Sequence, residues 1–249
     1  MSLKFSIITP SLNQGIYIED TIRSVCNQNY NDYEHIIIDG GSSDDTHKIV
    51  QKYDHLKFIS GKDRGPADAI NKGFSLAGGD IFAWINSDDY YEKNIFGEVE
   101  NIFESNRDAG IVIGDLTIID AENKIKLIDK THRYTKEYLV HINADVIRQP
   151  CTFFRKSLFL KTGGLNINYK LAFDYDIFIK MFEHSRAIFT GRNYAFYREH
   201  DKTLTRKYLR KQALEIRKIS SSYGAKITDP IFRTLFKKMI FPDRLSFIR

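Results

Sequence analysis

Short apolar runs and turn-forming clusters alternate through the first hundred residues. KFSIITPS, residues 4–11, is a β-rich apolar run stopped by Pro10 and Ser11, the pattern of a fully buried strand. Ile18, Ile22 and Val25 then recur at helical spacing, predicting a first helix over residues 16–26. YEHIIIDGGSSDDT repeats the grammar with a strand over 35–38, a glycine-rich turn, and Ser and Asp residues capping a helix that opens near Thr46. HLKFIS is a third strand. GPADAINKGFSLAGGD reads as a helix with Pro66 in its first turn and Gly78-Gly79 at its end. IFAWIN is a fourth strand, and a helix over 94–104 follows. Strand–helix alternation at this pitch predicts βαβ units and a doubly wound α/β fold with a mostly parallel sheet flanked by helices. The strands lack polar alternation, so both faces of the sheet should be covered.

Beyond Gly110 the pattern changes. GIVIGDLTIIDAENKIKLID reads as two strands joined at DAENK, a small antiparallel element. Helices are expected near 156–162 and 172–183, with a short strand over 187–190. The natural division is a catalytic domain over residues 1–200, with halves 1–109 and 110–200, and a helical extension over 201–249 broken at GAKITDP.

Charge sharpens that boundary. Of 37 Lys and Arg and 32 Asp and Glu, residues 202–249 hold 13 and 3, leaving 24 and 29 for the rest. A mildly acidic body therefore carries a strongly basic tail. The cysteines are Cys26 and Cys151, without a CxxC pair or clustered His, so neither a disulfide framework nor a zinc site is expected and a cytoplasmic setting fits. The strand-like run near the N-terminus leaves no room for an apolar leader, and no run of about 18 apolar residues predicts a membrane span.

Candidate chemistry gathers at one edge. In an open parallel sheet, ligands bind outside the carboxyl ends of the strands. Three strands end there in polar groups: Thr9-Pro10-Ser11, Asp39-Gly40-Gly41-Ser42, and Asn86-Ser87-Asp88-Asp89. Adjacent carboxylates disfavour each other's ionisation unless a positive charge joins them, so Asp88 and Asp89 either face away from each other into water, cap the next helix, or hold a cation. Asp39, at a strand end before the glycines, could accept from a nucleobase N–H; Ser42, Ser43 and Asp45 fit turn and cap chemistry equally well. No GxGxxG follows the first strand, and GxxxxGK[ST] and GxSxG do not occur, which leaves a dinucleotide site, a P-loop and a nucleophile elbow without support.

FSIITPSLNQGIYIEDTIRSVCNQNY, IIIDGGSSDDT, DRGPADAINKGFSLAGGDIFAWINSDD, RQPCTFFRKSLFLKTGGLN, LAFDYDIFIKM and YREH, in that order, resemble the nucleotide-sugar-dependent glycosyltransferases of family two, with the GT-A fold. The resemblance spans residues 4–200 and leaves the tail outside. It implies an inverting transfer from a nucleotide-diphosphate sugar, a UDP-sugar first, to a glycan or lipid-linked acceptor in surface polysaccharide synthesis. Asp39 would recognise the base, Asp88 would hold the ribose or assist the metal, and Asp89 would ligate Mn²⁺ or Mg²⁺. Asp174 would be the catalytic base, with Asp176 a competitor because Phe173 stands where the family commonly has Glu. His200 would lie near the metal or diphosphate, with Arg198 as phosphate support. Thr9, Ser11, Arg64 and Asp68 would line the donor side, while a plain helix-start role for Arg64 and Asp68 stays open. The family often has Asp where this chain has Asn86. Gln149 and Thr152 are candidates for the acceptor pocket, whereas Trp84 reads as core.

These roles agree with the chemistry of such a transfer, which needs a hard cation against the departing diphosphate and a base for the acceptor hydroxyl. Two other classes compete. A sugar nucleotidyltransferase needs a basic glycine-rich loop after the first strand, and TPSLNQG lacks Lys or Arg. A non-catalytic module would bind RNA or membrane through the tail, although nucleic acid is not an expected partner. In the tail, Ile231, Phe232, Leu235, Phe236, Met239 and Ile240 form an apolar stripe, with Arg233, Lys237 and Lys238 on the remaining faces. That stripe could lie in the inner face of a membrane, pack on the catalytic domain, or meet a second copy in a homodimer.

Overall fold

The computed structural model describes residues 2–201, 203 and 208–240, with side chains as far as residue 237. The first half follows the predicted alternation: β1 (Phe5–Ser11), α1 (Ile18–Cys26), β2 (Tyr33–Asp39), α2 (Thr46–Val50), β3 (Leu56–Ser60), α3 (Pro66–Ser75), β4 (Ile81–Trp84), β5 (Tyr90–Tyr91) and α4 (Phe96–Ser105). The second half contains β6 (Ala109–Ile119), β7 (Ile125–Asp129), α5 (Lys136–His141), a 3₁₀ turn (Gln149–Cys151), β8 (Thr152–Arg155), α6 (Lys156–Thr162), α7 (Phe173–His184) and β9 (Arg186–Arg198). Two helices, α8 (Leu209–Ser222) and α9 (Pro230–Ile240), complete the described chain.

One sheet joins these strands in the order β3-β2-β1-β4-β8-β6-β9-β5, with β7 paired to β6. β1 pairs in parallel with both β2 and β4, and β2 with β3. The chain thus leaves β1 in one direction through β2 and β3, then returns to the other side of β1 as β4. That reversal opens a crevice at the carboxyl ends of β1 and β4, where open α/β sheets bind ligands. The register places Ser11 beside Asp39 and Asp39 beside Ser60, so the strand-end polar residues share one edge.

Burial follows the apolar runs. Ile8, Ile36, Phe82 and Trp84 pack under α3, α6 and α7 in one cluster, while Phe5, Ile7, Ile81 and Ala83 face α4 and the second half in another. Trp84 is core, as its strand position predicts. Gly73 lets α3 close on β1, because a Cβ there would collide with the side chain of Ile8.

Several elements differ from expectation. β9 runs for 13 residues rather than the predicted four. Gly191, at φ 67°, takes a conformation that reads as a turn in sequence but serves as a bulge, and pairing with β6 resumes from Asn193 to Arg198. β5 and β8 escape the pattern because two- and four-residue strands are too short to show a period. The tail's apolar stripe packs inward: Ile231 and Leu235 are buried in the main core with Ala213, Ile216 and Ile219, and Phe232 lies against it. Phe236 is exposed; Lys238, Met239 and Ile240 have side chains outside the described set. No described helix is long and apolar enough to cross a membrane.

Candidate active site

The acidic doublet follows β4, and its two carboxylates part company. Asp89 is fully buried. Its Oδ1 accepts the Arg198 backbone N–H at 2.9 Å, its Oδ2 accepts Asn86 Nδ2 at 3.2 Å, and its carbonyl accepts the Thr21 hydroxyl at 2.6 Å. Burial, then the neighbouring charge of Asp88, push the Asp89 carboxyl well above the usual carboxylate range. Each Asp89 oxygen accepts one of these hydrogen bonds and keeps a second lone pair, so its role as a cation ligand stands as a proposal. Asp88 points the other way. Its Oδ2 lies 3.0 Å from His200 Nε2, and the His200 ring stands 4.9 Å from that of Tyr17.

Arg198 is a strut rather than an available phosphate ligand. It is 1% exposed, and its guanidinium donates to the Asp88 carbonyl (3.0 Å), Asn123 Oδ1 (2.7 Å), the Ala121 carbonyl (3.3 Å) and Asp20 Oδ2 (2.8 Å). It also lies over the rings of Tyr17 and Tyr90. Its backbone N–H holds the Asp89 carboxylate and its side chain holds the Asp88 carbonyl, so this end of β9 is tied to both residues of the doublet.

Asp39 is likewise fully buried. It accepts from Gly41 N (3.1 Å), Ser42 N (2.9 Å), the hydroxyls of Ser42 and Ser60, and His47 Nε2 (3.2 Å). Four of these donors fall on Oδ2, while Oδ1 accepts the Ser42 hydroxyl. Burial works to raise its pKa, but the Ser42 and Ser60 hydroxyls, the Ser42 N–H and His47 outweigh it and hold the group below the usual range. Asp39 thus organises the glycine turn, where Gly41 sits at φ 93°. Ser42 and Ser43 take part in the turn, whereas Asp45, the N-cap of α2, makes no side-chain cap hydrogen bond. Ser42 Oγ accepts from Asn13 N, the Ser43 N–H donates to Asn13 Oδ1, and Asp45 pairs with Lys48; Asp44 receives Gly15 N and Thr46 N. Thr9 also turns inward, its hydroxyl 2.9 Å from His35 Nε2.

Ser11 remains at this edge as expected. Its Oγ is buried without a protein partner at the carboxyl end of β1, the kind of orphan a bound ligand satisfies. Arg64 presents an exposed guanidinium just before α3. Asp68 is buried and held by Arg64 N and Nη2 and by Lys72, which keep its carboxyl well below the usual range. Asp68 orients Arg64 and closes the helix start.

Asp174 stands in the first turn of α7, half-buried, with Oδ1 accepting the Tyr175 N–H at 2.8 Å. Burial, with a smaller contribution from the charge of Glu215, pushes its carboxyl up to about 6. Asp176 faces the tail instead, tied to Lys180 Nζ at 2.7 Å and to the Tyr223 hydroxyl at 3.3 Å. The two acids are about 200° apart around the helix and so lie in different surroundings. Of the acceptor-side candidates, Gln149 donates to the Trp84 carbonyl and Thr152 to the Arg148 carbonyl, so both brace β4 and the 3₁₀ turn.

Among the described residues, no group of three or more His, Cys, Asp or Glu converges on a metal position. Asp88 and His200 form a two-residue set, one carboxylate and one imidazole, past the carboxyl end of β4. Such a set fits a divalent cation whose remaining ligands are phosphate oxygens and water. A cavity of about 730 Å³ lies elsewhere, between residues 133–137 and the far end of α7, and shares no residue with this edge.

Comparison with known proteins places the molecule. The model of glycosyl transferase family 2 matches residues 6–163, more than half the chain. The chain belongs to glycosyl transferase family 2. An uncharacterized glycosyltransferase of Rickettsia prowazekii is 30% identical over 196 residues, covering 74% of this chain and 60% of that protein. This chain thus spans less than two thirds of that relative's length. A Mycobacterium tuberculosis PGL/p-HBAD biosynthesis glycosyltransferase is 27% identical over 187 residues, 72% of this chain and 70% of the other. Among solved structures, Staphylococcus aureus TarS 1–349 in complex with UDP superposes with a TM-score of 0.68 at 17% identity, covering 99% of this chain and 73% of that one. The mannosyltransferase PcManGT from Pyrobaculum calidifontis, in complex with GDP-Man and Mn²⁺, gives 0.65 at 16% identity, over 96% and 70%. The fold is therefore that of the GT-A family-2 enzymes, as the sequence motifs imply.

Proposed function

We propose that this protein transfers a sugar from a nucleotide-diphosphate sugar, a UDP-sugar first, to a hydroxyl of a glycan or lipid-linked acceptor, inverting the anomeric centre, in the synthesis of a surface polysaccharide. The observation that carries the reading is the Asp88–His200 pair past the carboxyl end of β4, with the Ser11 hydroxyl, unpartnered among the described residues, at the carboxyl end of the adjoining β1. Relatives support the donor class: TarS is seen with UDP and with UDP-GlcNAc, and PcManGT with GDP-Man and Mn²⁺.

Asp88 and His200 would hold Mn²⁺ or Mg²⁺, which when bound supplies positive charge against the diphosphate. Arg198 holds the Asp88 carbonyl, and Asp89 keeps β9 against β4. Ser11 and Arg64 meet the donor's polar groups. Asp174 accepts the proton of the acceptor hydroxyl as its oxygen bonds to the anomeric carbon. The bond to the diphosphate breaks, its electron pair stays on the leaving phosphate oxygen, and attack opposite that bond inverts the centre. A carboxyl titrating at about 6 is poised for this work near neutral pH, since general-base efficiency is best when the pKa lies near the working pH.

Thermal-shift screening of UDP-, GDP- and dTDP-sugars with and without Mn²⁺ tests the reading. A donor at about 100 times its Kd stabilises the folded state by about 2.7 kcal/mol, and the shift should require Mn²⁺ or Mg²⁺. Absence of any shift across the three donor classes would sink it.

A further inference from the structure

We propose that Glu215, on α8 and outside the matched family region, is a positioning residue for the base: its carboxylate holds the three backbone N–H groups leading into α7 and so fixes where Asp174 meets the donor edge. The inference rests on the reading of Asp174 as the base.

The start of α7 has no cap of its own. Its N-cap is Ala172, which lacks a side-chain acceptor, and the amides of Lys170, Leu171 and Ala172 just before the helix take a partner from elsewhere. Glu215 supplies it across 43 to 45 residues of chain. Lys170 N lies 3.0 and 3.1 Å from the two Glu215 oxygens, and Leu171 N and Ala172 N lie 2.8 and 3.0 Å from Oε2. Three successive amides on one carboxylate form the concave arrangement by which backbone binds anions. Gln212, one turn earlier on α8, donates to the Leu171 carbonyl at 3.2 Å.

The gripped segment also reaches the donor side. Lys170 Nζ donates to the Arg64 carbonyl at 2.7 Å and to the Ile167 carbonyl at 2.9 Å. Asn71 of α3 exchanges two hydrogen bonds with Leu165, at 2.8 and 3.0 Å. Residues 165–172 are therefore strung between the start of α3, which presents Arg64, and α8. Asp174 follows two residues later in the first turn, so any drift of this segment moves the base relative to the donor. Misplacement of a reacting group by about 1 Å can cost about 100-fold in rate.

The test compares Glu215→Ala and Glu215→Gln with Asp174→Asn in the full chain, using UDP-GlcNAc and Mn²⁺ as the probe. Glu215→Ala should lower kcat by about 10- to 100-fold while KM and Kd for UDP-GlcNAc and the unfolding midpoint stay near wild type. Glu215→Gln should restore most of kcat, because its amide oxygen still accepts backbone N–H groups. Hydrogen exchange, which needs no donor, should show faster exchange at Lys170, Leu171 and Ala172 in Glu215→Ala alone. Unchanged protection of those amides, an unchanged kcat in Glu215→Ala, or a joint loss of kcat and donor affinity that Glu215→Gln leaves unrescued, overturns the proposal. Wild-type turnover in Asp174→Asn would instead overturn the assignment of the base.

Discussion

Asp88 and Asp89 are adjacent in sequence and opposite in environment, one beside His200 at the crevice and one sealed beneath it. The two substitutions should separate accordingly. Asp88→Asn is expected to weaken Mn²⁺-dependent binding of a nucleotide sugar by at least about tenfold with little change in stability. Asp89→Asn should set its amide hydrogens against buried partners, costing about 1–3 kcal/mol. Calorimetric titration with and without Mn²⁺, together with denaturant unfolding, checks both. Asp174 carries the pH dependence. Only its ionised form accepts a proton, so transfer should rise about tenfold per pH unit below about 6 and level off above it. Stability runs the other way. The folded carboxyl binds its proton more tightly than an unfolded one, so that contribution is complete below the ordinary carboxyl value of about 4 and is lost as the pH rises through about 6. Asp174→Asn should therefore abolish the rising limb of the rate profile and raise the unfolding midpoint at neutral pH; a profile that persists in this variant rules the assignment out.

Among elements, the strands that form the crevice were the most readable. β1, β2 and β4 announce themselves as apolar runs because both faces are covered, and polar residues enter only where a strand reaches solvent or ligand. α6 matches its predicted span residue for residue, and α7 is displaced by one. β9 was legible only in part, since Gly191-Arg192-Asn193 has turn chemistry and only pairing with β6 keeps it within a strand. Arg198 shows the same limit in a side chain. A guanidinium in YREH reads as a ligand for phosphate, yet Asp20, Asn123 and Ala121 take it up from segments remote in sequence. No local signal at Asp20 or Tyr17 marks either as its partner.

At the scale of the molecule, the basic tail belongs to the body that carries the base. Ile231 and Leu235 of α9 and Ile216 and Ile219 of α8 share a core with Tyr175 and Phe178 of α7. Leu235→Ala should cost about 2–5 kcal/mol, whereas Phe236→Ala, at a position 61% exposed, should change stability little. Equal small effects at both positions in thermal unfolding would show that the stripe is not buried in solution. Among the described residues of the tail, the side chains of Arg210, Lys211, Arg217, Lys218, Lys226, Arg233 and Lys237 are exposed.

The order of residues by itself determined the alternating strands and helices, the edge at which chemistry collects, and the family. These follow from local periodicity, turn chemistry and contiguous motifs, which need no knowledge of what lies across the fold. Only the tertiary structure decided that Asp88 meets His200 while Asp89 is sealed inside, that Arg198 is taken up by Asp20 and Asn123, and that Asp176 is tied to Lys180 and the tail. A side chain's burial and partners come from segments far away along the chain, and two adjacent acids carry no mark of which one the packing will leave open.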